Sequence, residues 1–299
     1  MLQSRLGAQL LSGAPAETAE DVVRRLLAVQ GQDPRGARLT IRSRSTGLTA
    51  ADVDAGLTER RSLLITWLNR GTLHLVTAED YWWLHPLTTP QLVTGNNRRL
   101  RQEGLSPEQA EVGIATVAAA VADGPQTRAQ LRDRVDAAGV PTLGQGFVHV
   151  LAAASLRGLI VRGPMYGGDH AFVGVENWLG PPPAPVPEDE ALARLAARYL
   201  AGHGPAAAPD LARWAGIPLG AARRGLDAIA ADVVVGNGSP PPLPPPRLLG
   251  AYDPVLLGWV SREAIVGAHH QLVTDNGLFR PFALVDGRAV ATWGLHPRP

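Results

Sequence analysis

Cysteine and lysine are both missing from the 299 residues. Without cysteine, disulfides, thiolate metal sites and a cysteine nucleophile are excluded. Without lysine, no side-chain amine can form the Schiff base of a β-lyase, the N-terminal amine aside. Aromatic residues are scarce at 5%, yet 45% of the chain is apolar, enough for a substantial core or for several small domains. No stretch reaches the ~18 apolar residues of a membrane span, and the N-terminus lacks a long apolar core. A soluble cytoplasmic protein is expected. Gly-rich phosphate loops, paired catalytic carboxylates and a Gly-x-Ser-x-Gly elbow are all absent from the sequence. His269 and His270 point apart in an extended chain and have no neighbouring carboxylates, so they do not suggest a metal site. No organic cofactor is implied either.

What is present is arginine. It supplies all 28 basic residues against 27 acidic ones, so a net charge of +1 gives no global argument for a polyanionic partner. Arginine alone still favours bidentate contacts to phosphate wherever charges cluster. Residues 1–101 hold 13 arginines and 9 acidic residues, a local +4 that favours the first third as the polyanion face, with an ordinary solvated helix surface as the alternative for 35–44.

The order of elements suggests winged helices. Residues 18–31 have the spacing of a helix, with Val22, Val23, Leu26, Leu27 and Gln30 on neighbouring faces. Asp33-Pro34 fits an N-cap followed by proline at the first helical position, opening a second helix to about residue 44. Thr49 to Asp52 resembles a capping box and opens a third helix to Thr58. SLLITWL (62–68) and TLHLV (72–76) then form a hairpin around Asn69-Arg70-Gly71. Three helices and a hairpin make a winged helix, a relative of the helix-turn-helix. Tyr81, Trp82 and Trp83 begin a helix after Thr77 to Asp80 and read as core.

The plan recurs. Gly124-Pro125 with Leu131 and Gly204-Pro205 with Leu211 share one spacing, offset by 80 residues. A hairpin is expected from LIVRG (159–163) and HAFVGV (170–175), and a lone strand from VVV (233–235). GPPPAPVPED (180–189) and SPPPLPPP (239–246) read as stiff linkers. FALV (282–285), Asp286-Gly287 and RAVATW (288–293) form a final hairpin. The expected fold is mainly α with small β-hairpins. Its tandem winged-helix modules span 1–104, 105–180 and 188–238, and a C-terminal β unit spans 247–299.

Two features locate function. The third helix, 49–58, carries two aspartates and no base, which makes it a poor reader of a major groove. The charge lies on the helix before it, at Arg35, Arg38, Arg42 and Arg44, with Arg70 on the wing and Arg98, Arg99 and Arg101 beyond. Thr72 and His74 alternate with leucines on a strand and share one face. Beside them stand Gln30 and Gln32, one residue apart, with Asp33 as a neighbouring carboxylate that also suits a helix cap. Taken alone, the two amides bond local carbonyls at the end of the first helix.

RRLLAVQGQDPRGARL and RSLLITWLNRGTLHLVTAED resemble the winged-helix DNA glycosylases of the AlkZ/YcaQ type. The resemblance continues through GPQTRAQL, PPPRLLGAYDPVLLGW and NGLFRPFALVDGRAVATW, nearly the whole chain. Gln30-Gly31-Gln32 matches the Gln-x-Gln branch, whereas the other branch has aspartate at the place of Gln32. The resemblance implies a monofunctional enzyme that removes N-alkylated purines from double-stranded DNA, including bulky adducts or crosslinks left by genotoxic natural products. Gln30 and Gln32 would be its catalytic pair; Gln32 is assigned to positioning water and Gln30 to supporting it, and the exchanged roles are the alternative. Arg35, Arg38, Arg42, Arg70, Thr72, His74 and Arg99 would contact DNA. It would work as a monomer at the nucleoid, without membrane, metal or cofactor. The alternative from another class is a non-catalytic winged-helix DNA-binding protein, a regulator or a protein that sequesters a lesion or drug.

Overall fold

Helices α1 (Leu2–Ala8) and α2 (Ala19–Leu26) open the chain. The hydroxyl of Thr18 accepts from the Asp21 N–H and starts α2, but the helix stops five residues before the expected end. Leu27 adopts φ 65 and turns the backbone out, and Val29–Gln30 become strand β1. Asp33 then caps α3 (Pro34–Arg42), its carboxylate accepting from the Arg35 N–H at 3.1 Å, with Pro34 at the first position. Helix α4 (Ala50–Thr58) begins where the Asp52 carboxylate accepts from the Thr49 N–H at 2.7 Å and from its hydroxyl at 2.8 Å. Strands β2 (Leu63–Leu68) and β3 (Thr72–Thr77) follow, joined by a turn in which Asn69 and Gly71 take φ 53 and 80.

The computed structural model describes residues 1–231 and 241–294. The described chain divides into two units. One holds Met1–Val53, His74–Thr77 and the described part of 187–299; the other holds Asp54–Leu73 and Ala78–Val186. This division is coarser than four modules and shares the residues of the first module between both units.

The unit of residues 54–73 and 78–186 contains α5 (Ala78–Thr88), α6 (Pro90–Gln102) and α7 (Pro107–Ala122). It continues with α8 (Arg128–Ala137), α9 (Gly146–Leu156), β4 (Ile160–Tyr166), β5 (Asp169–Gly174) and α10 (Val175–Leu179). Reciprocal capping boxes, Ser106 with Gln109 and Thr127 with Gln130, fix the starts of α7 and α8. β4 and β5 pair antiparallel with Val161 opposite Val173, and β2 adds to β4 with Ile65 opposite Arg162. Gln126, between α7 and α8, forms an isolated antiparallel bridge to Phe172 through both backbone bonds, at 2.9 and 2.8 Å. Leu131, Val135, Phe147, Val150, Ile160 and Phe172 close its core. Tyr81 and Trp83 are buried, the Trp83 indole donating to Asp80 at 3.0 Å, while Trp82 is half-buried.

His85 of α5 donates from Nε2 to the Ser155 carbonyl at 2.9 Å in the same unit. Burial outweighs that bond and lowers its pKa to about 4. The unfolded chain therefore takes up a proton below about pH 6.5 that the fold refuses until about pH 4. The His85 contribution is complete above pH 6.5 and is lost on acidification through that window, at about 3 kcal/mol. Thermal midpoints recorded from pH 7 to 4.5 are expected to fall more steeply for the native chain than for His85→Gln.

The other unit continues with α11 (Glu188–His203), α12 (Ala208–Ala215) and α13 (Leu219–Ala228). α11 and α13 approach closely at Gly225, where a Cβ would sit 2.5 Å from the Leu192 carbonyl oxygen. The expected strand 233–235 lies outside the described residues. Residues 241–246 of the proline stretch carry no regular structure. Three strands close the unit, β6 (Arg247–Leu249), β7 (Phe282–Val285) and β8 (Arg288–Thr292), in that order, with α14 (Glu263–Val266) inserted before β7. The β7–β8 turn is the expected Asp286-Gly287, at φ 49 and 75. β6 joins this hairpin at a place where the sequence predicts only a linker end. Leu6, Leu11, Leu249, Trp259, Phe282 and Leu284 are among its core residues. Among the described residues, no helix is long and apolar enough to cross a membrane.

Candidate active site

The two amides belong to a strand and a loop, not to a helix end. β1 pairs antiparallel with β3, placing Gln30 opposite His74 and Val29 opposite Leu75. Gln30 and His74 are both buried, at 6% and 3% exposure. Only Gly31, Gln32 and Asp33 separate β1 from α3, so both ends of the loop are anchored. Gly31 is buried and Gln32 is exposed. The Gln30 side chain donates from Nε2 to Oε1 of Gln32, a short contact that aims the exposed amide. The other end of the buried amide, Gln30 Oε1, has no hydrogen-bond partner among the described residues. An unsatisfied buried acceptor costs about 1–3 kcal/mol, and such atoms call for an explanation beyond stability.

The loop is braced from below by the segment after β6. A Cβ on Gly36 would lie 2.4 Å from the Ala251 carbonyl oxygen, and one on Gly250 would lie 2.8 Å from the Gly36 Cα. The first turn of α3 therefore rests directly on the backbone of 250–251. Tyr252 follows at φ 58, and burial, then the nearby Asp33 carboxylate, hold its hydroxyl pKa above the ordinary value. Gly36→Ala is expected to force α3 off this support and to lower stability by about 1–3 kcal/mol. Gly95→Ala, on an open face of α6, is the control and should stabilise by up to about 1 kcal/mol. Differential scanning fluorimetry of the two variants reads the contrast.

Of the predicted DNA contacts, Arg35 and Arg42 are exposed on α3, and Arg38 is half-buried, donating to the Pro34 carbonyl at 3.0 Å. Arg70, Thr72 and Arg99 belong to the other unit. Arg70 and Thr72 are half-buried, while Arg99 is exposed on α6 and faces Glu103 at 3.5 Å. Two placements differ from the sequence reading. His74 does not share an open face with Thr72, because β3 is buried on both sides from His74 onward. Arg44 carries no surface charge: it is 1% exposed and forms a bidentate pair with Asp253 at 2.7 and 2.9 Å. Sequence reasoning missed Tyr252 and Asp253. The available signal was GAYDP, in which Asp253-Pro254 repeats the cap-then-proline pattern of Asp33-Pro34.

The sequence profile of the family described as DNA glycosylase AlkZ-like matches residues 23–298. An interstrand DNA cross-link repair glycosylase of Streptomyces sahachiroi is 27% identical over 323 residues, covering 97% of this chain and 86% of that protein. The solved structure of Streptomyces sahachiroi DNA glycosylase AlkZ matches with a TM-score of 0.78 at 25% identity, over 98% of this chain and 86% of that one. The mixed α and β architecture, helices with small antiparallel sheets, is thus the winged-helix fold of a known repair enzyme. The chain belongs to the AlkZ-like family of DNA glycosylases.

Proposed function

We propose that this glycosylase hydrolyses the N-glycosidic bond of purines made cationic by alkylation at N7 or N3, leaving an abasic site. Bulky adducts and crosslinks fall within this class, in keeping with the cross-link repair named for the Streptomyces sahachiroi relative. Alkylation places a formal positive charge on the purine, so the base departs without protonation by an enzymic acid. The C1′–N9 electrons leave with the base and neutralise it. The sugar gains oxocarbenium character, and water adds to C1′, releasing one proton to solvent.

The observation that carries this reading is the exposed Gln32 amide held by buried Gln30. Held by one lone pair, Gln32 Oε1 keeps a second to face the developing cation or to accept from the attacking water. Its NH₂ can orient the same water or a phosphate. Such positioning needs no shifted pKa. An amide is too weak a base to expel an uncharged purine, which spares undamaged DNA. Arg35, Arg38 and Arg42 on α3 supply phosphate contacts beside the loop; Arg70, Thr72 and Arg99 are read, separately, as DNA contacts of their own unit. His74 serves as the buried strand partner of Gln30. The enzyme is read as monofunctional, since the chain has no lysine, and as a monomer acting on cytoplasmic DNA.

The test is incubation with duplexes carrying 7-methylguanine or a bulky N7 adduct, followed by alkaline cleavage at abasic sites. Cleavage at the lesion and none in the undamaged duplex is expected. Binding to a palindromic operator without base release would overturn the reading in favour of a regulator.

A further inference from the structure

Tyr252 stands at the edge of the amide loop in a conformation that bulky residues rarely take. Its φ of 58 lies in the left-handed region. Both flanks are fixed: Gly250 and Ala251 rest against Gly36, and Asp253 is locked to buried Arg44. The ring is half-buried and is not part of the core around Leu6, Leu249 and Phe282. Its centroid lies 5.7 Å from that of Phe279, inclined at 42°, and the guanidinium of Arg262 lies 5.1 Å over Phe279. Phe279 is itself packed against the core, so it can brace Tyr252. The Asp33 carboxylate, next in sequence to Gln32, is close enough to act on the Tyr252 hydroxyl. A strained residue with fixed neighbours and little core contact indicates a functional constraint.

We propose that Tyr252, braced by Phe279, is the specificity-determining ledge on which the cationic purine stacks while Gln32 addresses the sugar. This inference rests on the glycosylase reading and names how the charge on the base is recognised. A purine alkylated at N7 is planar and positively charged. The face of a tyrosine attracts a cation, and Asp33 adds negative potential at the same edge. An unmodified purine gains stacking from the ring but not the charge attraction. The preference for the charged base is about tenfold.

The experiment measures the affinity ratio of a 7-methylguanine duplex over its undamaged counterpart, beside base release. Tyr252→Gly removes the ring and also relieves the left-handed φ, so its thermal midpoint should not fall below that of the native chain. Its affinity ratio should drop about tenfold, the undamaged duplex losing only the stacking common to both bases, while Tyr252→Phe keeps the native ratio. A glycine variant that retains the full preference overturns the ledge. So does a phenylalanine variant that loses it, since the ring would then not be the cause. Failure of the native chain to release base would sink the glycosylase reading instead, and the affinity ratio would still decide the ledge.

Discussion

Gln32→Ala is expected to slow single-turnover release of 7-methylguanine by about 10²–10³-fold while duplex affinity is retained. The size follows from what the amide does: it is the exposed amide of the loop, and its direction is set by a buried donor. Gln30→Leu keeps much of the packing and removes that donor, so release should fall by a smaller factor, on the order of tenfold. The double variant should be no slower than Gln32→Ala alone, because groups that act as a unit are not additive. Neither amide titrates, so the rate should stay level between pH 6 and 9, without the bell shape that a catalytic acid and base impose. If single-turnover release in Gln32→Ala is as fast as in the native chain, the assignment of water positioning to this residue is wrong.

Local structure was legible in the sequence where it depends on neighbours in the chain. Asp33-Pro34 predicts the start of α3, Asn69 to Gly71 predicts the β2–β3 turn, and Asp286-Gly287 predicts the last hairpin; all three stand. The reading failed where pairing is distant. The apolar spacing through Gln30 fits a helix, but 44 residues later His74 pairs with it, and the ladder replaces the last turn of α2. A two-residue strand leaves no periodic signal. Arg44 misled for the same reason, since nothing near it in sequence announces that Asp253 will receive it. The glutamine pair itself was legible as a motif, but that Gln30 pairs with β3 and is buried while Gln32 is exposed is decided by contacts distant in the chain.

That buried pair yields the largest effect on stability. Every donor of Arg44 is used: Nε to the Gln9 carbonyl, Nη1 to Thr40, Ser43 and Asp253, and Nη2 to the Gln9 side chain and Asp253. Removing one partner strands the other charge without solvent, which costs about 3–5 kcal/mol. Arg44→Leu and Asp253→Leu should each lower the thermal midpoint by on the order of 5–10 °C. The double replacement removes both charges together and should fall by less than the sum of the two, as a double-mutant cycle by calorimetry would reveal. Asp253 also accepts from the Val255 N–H at 3.0 Å, so the double variant should not recover fully. Arg35→Ala offers the opposite signature. Its guanidinium is exposed, so the midpoint should hold while DNA affinity drops and its salt dependence loses about one counterion. If Arg44→Leu instead left the midpoint unchanged and weakened binding like Arg35→Ala, the charge would belong to the DNA face after all, and the segment carrying Tyr252 would not be clamped to α3 as the structure has it.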